Sequence, residues 1–197
     1  MKKNLLAVST LAMAVMSGSA FAAPGDAIGN GTGNVNITGT VTTSTCGLSV
    51  TGADQTFALT KDQIVSAQAG DTLTTADATF TLNNCKGTAL SVTMKGGAAY
   101  YADRLFNAFD KVAGLRYQLR LQNGNDGRWA WDDGSAVTVS EPVFPSDATQ
   151  DNAIVFTAKT DADSFNVRTL VSRSGENLPA TLPSEVKATY AYNITYK

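Results

Sequence analysis

An all-β sandwich is the fold this sequence predicts, and three observations predict it. From Cys46 onward, short runs rich in Val, Ile, Thr, Tyr and Phe recur. They are separated by strong turn signals, above all Asn123-Gly124-Asn125-Asp126-Gly127 and Asp133-Gly134. Several runs alternate strictly between apolar and polar side chains, as a strand with one buried face must. In chain order, strands are expected at 46–50, 55–59, 78–85, 89–96, 115–122, 136–140, 152–159, 165–172 and 186–197. Between them, Tyr101, Leu105, Phe109 and Val112 recur at helical spacing and predict a short helix within 100–112. The stretch after Cys46, about 150 residues, suits one core of ordinary domain size, and neither a repeat nor a linker divides it.

The first 22 residues fall into the three zones of a secretory signal. Lys2 and Lys3 start it, an apolar run spans Leu5 to Met16, and small residues end it at Ala20 and Ala22. Cleavage after Ala22 removes two of 15 basic residues, leaving 13 against 17 acidic ones, a net charge of −4. No basic run remains to serve nucleic acid.

Export to an oxidising compartment gives Cys46 and Cys85 the chemistry of a disulfide, which should stabilise the fold by roughly 4 kcal/mol. The sequence contains no histidine. That removes Ser-His-Asp and Cys-His catalysis and histidine-based zinc sites, and no cofactor motif stands in their place.

Two stretches stand out. In 34–43, NVNITGTVTT, the residues Val35, Ile37, Gly39 and Val41 share one parity, with a glycine in the middle of the apolar face. In 186–197, Tyr190, Tyr192, Ile194 and Tyr196 share one parity at the end of the sequence. The first strand cannot turn tightly into Cys46, because TSTC lacks the Gly or Asn that short hairpins prefer. Residues 23–45 therefore read as an arm projecting from a domain at 46–197. An isolated amphipathic strand needs the edge of a sheet, and another chain can supply one.

The order of arm, Cys46, Cys85 in TLNNC, and terminal strand YAYNITYK with its penultimate tyrosine resembles the type 1 fimbrial (pilin) subunits of the chaperone–usher pathway. The resemblance implies an immunoglobulin-like sandwich that is incomplete and is completed by a donor strand from another subunit. It implies a non-enzymatic structural subunit of a surface fimbria, exported through the periplasm. Its partners would be identical or related pilin subunits, a periplasmic chaperone and an outer-membrane usher, with host glycans met through the fibre. Val35, Ile37 and Val41 would fill pockets in a neighbour's groove, and Gly39 would sit where the groove is shallow. Tyr190, Tyr192, Ile194 and Tyr196 would form the groove edge offered to the chaperone. One departure is that Pro183 and Ser184 stand where such subunits usually carry a glycine before the last strand.

The alternative is a minor or tip carbohydrate-binding subunit, with Trp129 and Trp131 as a sugar platform beside Asp132 and Asp133. Paired aromatics on one strand face are more often core packing. The remaining aspartates, Asp147, Asp151, Asp161 and Asp163, show no EF-hand spacing. The sequons at Asn36 and Asn193 fall in expected strands, where they reflect a polar face.

Overall fold

The computed structural model describes residues 27–34, 46–97, 99–100, 103–109, 112–145 and 153–197, with the backbone alone described for 27–34, 99–100 and 103–104. The signal segment and Val35, Ile37, Gly39 and Val41 lie outside these residues. The elements are β1 (Ala27–Asn34), β2 (Gly47–Thr51), α1 (Lys61–Ser66), β3 (Thr72–Asn83), β4 (Ala89–Gly96), β5 (Ala99–Tyr100) and β6 (Asp103–Ala108). They continue with β7 (Leu115–Leu121), β8 (Trp129–Trp131), β9 (Val143–Phe144), β10 (Ile154–Thr157), β11 (Ala162–Arg173) and β12 (Tyr190–Tyr196).

Two antiparallel sheets face each other. One runs β12-β4-β10-β8 and the other β2-β3-β11-β7-β6-β5, with β9 beside β7. The spine of the second sheet is the pairing of β3 with β11, in register from Ala162 opposite Asn83 to Ser172 opposite Thr72. Alternation sends Ala78, Phe80, Leu82, Phe165 and Val167 inward, all buried. Phe80 and Phe165 lie directly opposite and stack at 5.0 Å. From the first sheet Leu90, Val92, Met94, Tyr192 and Ile194 meet them, and Tyr192 sets its edge on Phe80 at 5.1 Å. Each such side chain contributes roughly 1.5–3 kcal/mol of burial.

The helix expected within 100–112 is instead a strand, β6, pairing Asn107 with Tyr117 and Ala108 with Arg116. A helix of that length is marginal by itself, while the free edge of β7 supplies a ladder. Leu105 is 47% exposed whereas Asn107 is fully buried, the reverse of the helical assignment. The run 136–140 is also not a strand and keeps only an isolated bridge between Ala136 and Ala130. Conversely, α1 was not expected. Thr60 caps it, its hydroxyl accepting from the Gln63 amide at 3.2 Å while Gln63 Oε1 accepts from the Thr60 amide at 2.8 Å.

Cys46 and Cys85 are joined in a disulfide and almost wholly buried. It ties the start of β2 to the end of β3. Replacing both cysteines by serine is expected to cost about 2–5 kcal/mol. Urea unfolding of the purified chain checks this, and an unchanged midpoint would mean that the ladder between β2 and β3 holds this corner unaided.

Candidate functional site

The candidate site is built on the last strand, β12. Tyr190, Tyr192, Ile194 and Tyr196 are all buried, as their shared parity predicts, while Asn193 between them is exposed. On one side β12 pairs with β4 over its full length, from Tyr190 opposite Gly96 to Tyr196 opposite Leu90. The Tyr196 hydroxyl accepts a hydrogen bond from the Cys46 amide at 3.3 Å. At the other end the Tyr117 hydroxyl donates to the Thr189 carbonyl at 2.9 Å. Burial, with the hydroxyls of Tyr117 and Tyr192 nearby, pushes the Tyr190 phenol well above its ordinary range, so it stays neutral.

The surface opens beside Tyr190. A cavity of about 770 Å³ opens there, lined by residues 53–59 on one wall and 183–190 on the other, with Ile64, Phe109, Leu115, Tyr117 and Thr169 between. Both walls are unusual as backbone. Residues 53–60 alternate between half-buried and exposed, as a strand would. Yet among the described residues neither 53–59 nor 183–188 makes a backbone–backbone hydrogen bond. The strand expected at 55–59 therefore has the side-chain pattern and lacks the partner, and the strand expected from 186 begins only at Tyr190. Gln55 Nε2, Thr169 Oγ1 and Tyr190 Oη, which belong to residues lining the cavity, are buried without a hydrogen-bond partner. Residues 183–185 and 187–189 are exposed, so water reaches that wall, while the buried side-chain atoms of Gln55, Thr169 and Tyr190 are costly when unpaired.

The free edge of β12 above the cavity is covered by β1 of the same chain. That pairing is antiparallel, with Thr32, Gly33 and Asn34 opposite Asn193, Tyr192 and Ala191. A single parallel bridge from Gly29 to Gly47 joins β1 to β2. Part of the segment expected to project thus lies along its own domain.

The two tryptophans are not both open to solvent. Trp129 is 3% exposed and packs on Phe156 at 4.7 Å and Phe165 at 5.1 Å. Its neighbour two residues on, Trp131, is only partly buried. Asp132 pairs with Lys197, and Asp161 is exposed. Asp147 and Asp151 lie outside the described residues. Among the described residues no group of three or more acidic or cysteine side chains could hold a metal ion.

Asp163 belongs to the core scaffold. Burial pushes its pKa up, but the amides of Lys159 and Ser164, each donating at 2.8 Å, and the Arg128 guanidinium outweigh this and hold it below the usual range. A carboxyl with a depressed folded pKa contributes stability above its unfolded pKa, roughly 3.9, and loses it as pH falls through the folded value. Asp163→Asn is expected to lower stability at pH 7 by about 1–3 kcal/mol and to flatten the acid limb below pH ~4. Urea midpoints at pH 7 and pH 3 check this, and equal losses at both would remove the ionic component.

No protein-family model matches the sequence, and no curated protein sequence does. Among solved structures, the P pilus rod subunit PapA is similar over 78% of this chain and 100% of its own, at 16% identity and a TM-score of 0.52. The chain shares the fold of that subunit. The CupB6 tip adhesin from Pseudomonas aeruginosa is similar over 77% of this chain and 43% of its own, at 13% identity and a TM-score of 0.43, and nothing below rests on it.

Proposed function

We propose that this chain is a structural subunit of a surface fimbria, without catalytic activity, and that copies join by strand addition. The observation that carries this is the cavity lined by 53–59 and 183–190, where among the described residues 53–59 and 183–188 make no backbone–backbone hydrogen bond. An added strand gains main-chain hydrogen bonds from both walls and buries alternate side chains in the apolar floor. Residues 34–43 of a neighbouring copy have the required pattern: Val35, Ile37 and Val41 on one parity with Gly39 among them.

The parity agrees with β12. Opposite residues of an antiparallel pair share a face, and Gly33 lies opposite the buried Tyr192. A neighbour's strand that kept this parity would turn its odd positions 35, 37, 39 and 41 inward. A periplasmic chaperone would shield the same edge before assembly at an outer-membrane usher. The fold of a pilus rod subunit supports this reading. The burial of Trp129 gives no support to a sugar-binding one.

The test is to express the chain with its chaperone and usher and to run surface material on gels with and without boiling. Strand addition predicts a ladder of multimers that collapses to monomer on boiling, whereas monomer alone in unboiled samples would overturn it.

A further inference from the structure

The cavity beside Tyr190 has the size of a small-molecule site, about 770 Å³ where pockets for drug-sized ligands hold roughly 300–1,000 Å³. Phe57, Phe109, Tyr117 and Tyr190 bring aromatic rings to its lining. Three of these form a chain, with Phe57 and Phe109 meeting edge to face at 6.1 Å and Phe109 tilted against Tyr117 at 5.2 Å. A further ring packs well on such a wall. The same cavity is lined by three residues with unpartnered polar atoms. Thr169 is 9% exposed and Tyr190 6%, and neither hydroxyl has a hydrogen-bond partner. Gln55 Nε2 is buried and equally unpartnered. An occupant that pairs these atoms therefore gains what apolar walls alone cannot give. The amide nitrogen can only donate, and a hydroxyl donates as readily as it accepts. Their common complement is an acceptor oxygen.

The charges around the cavity narrow the choice. Its charged lining residues are Asp54, Glu185 and Lys187, and the last two pair with each other at 3.2 Å, which leaves the Asp54 carboxylate in excess. An anion would find no spare cation among them, and a cation would face the Gln55 amide donor. We propose that this cavity binds a small uncharged aromatic molecule with a carbonyl oxygen, its ring on the wall of Phe57, Phe109 and Tyr117 and its oxygen accepting from Gln55, Thr169 or Tyr190. The site belongs to the single subunit and does not rest on strand addition. An occupant would nonetheless hold space that an added strand needs, and so would slow assembly.

Benzophenone is the probe, an uncharged diaryl ketone that labels its surroundings covalently under ultraviolet light. Purified monomer is titrated with it, with diphenylmethane, which lacks the oxygen, and with benzoylbenzoate and aminomethylbenzophenone, which carry opposite charges. Benzophenone is expected to saturate one site and to bind roughly three- to tenfold more tightly than diphenylmethane, the worth of one hydrogen bond. It should also bind more tightly than both charged analogues, and its photolabel should fall within 53–59 or 183–190. Thr169→Val and Tyr190→Phe keep the shape of the wall, and one of these or Gln55→Leu should bring benzophenone down to the level of diphenylmethane. Equal binding of ketone and hydrocarbon by the unsubstituted chain overturns carbonyl recognition whether or not any variant folds. Tighter binding of a charged analogue overturns the ligand class, and scattered or absent labelling overturns the site. The ladder of multimers on unboiled gels reports strand addition separately, so either reading can fail while the other stands.

Discussion

Gly39→Val is expected to abolish surface fibres while leaving a folded subunit that its chaperone still captures. Glycine is disfavoured in strands, so in an ordinary strand this change would help slightly, and in an idle leader it would do nothing. Under the strand-addition proposal the odd positions of 35–41, which carry Val35, Ile37 and Val41, are the ones that face the groove. A side chain at position 39 therefore enters the groove itself. Where backbone must approach closely, the added isopropyl group costs about 1–3 kcal/mol at every junction. Thr40→Val is the control, since the even parity faces away and a one-residue slip would exchange the two outcomes. Soluble subunit–chaperone complex and surface fibre are measured separately. Wild-type fibre with Gly39→Val would remove the proposed register, and loss of the complex would place Gly39 inside its own domain.

Tyr196→Ala is expected to destabilise the domain by about 3–5 kcal/mol, the cost of deleting a buried aromatic ring and leaving a cavity. Tyr196 is 8% exposed, and its hydroxyl accepts from the Cys46 amide. It therefore locks the end of β12 to the disulfide corner of the other sheet. Tyr196→Phe keeps the ring and leaves the Cys46 amide without that partner, which should cost about 1 kcal/mol. The difference between the two variants in urea midpoint separates packing from hydrogen bonding. Equal effects would mean that the ring contributes little, and the end of β12 would then be held by its ladder to β4.

The strands that were legible in the sequence are those whose side-chain pattern and backbone pairing agree. β4 matches its expected limits, β11 extends beyond its own at both ends, and β3 starts six residues earlier than expected and stops two short, each of the two finding a partner twelve residues long. Residues 55–59 have the pattern without the partner, and periodicity cannot tell these apart because it reads side chains only. The strand at 103–108 was hidden by an accidental helical spacing, and the edge of β7 that claims it is a long-range fact. The cap of α1 was readable as Thr60-x-x-Gln63, although only Ile64 of its residues is buried, too little for a period to show. The burial of Tyr190, Tyr192, Ile194 and Tyr196 was legible as their shared parity. The polar lining of the cavity from Gln55 and Thr169 was not, because it depends on how distant segments pack. Trp129 and Trp131 share a parity, and parity cannot say which face is wet.

The corner at Cys46 has a mechanical consequence. In the proposed fibre, tension arriving through residues 23–45 would enter the domain at residue 46. There it divides at once, through the disulfide into β3 and through the Tyr196 hydroxyl into β12. Both strands are embedded in ladders, β3 between β2 and β11 and β12 between β1 and β4. A pull along such strands loads many hydrogen bonds in shear at once rather than opening them singly. The domain should therefore resist extension as a rigid link, and under the strand-addition proposal the non-covalent joint between copies would be the element that yields first.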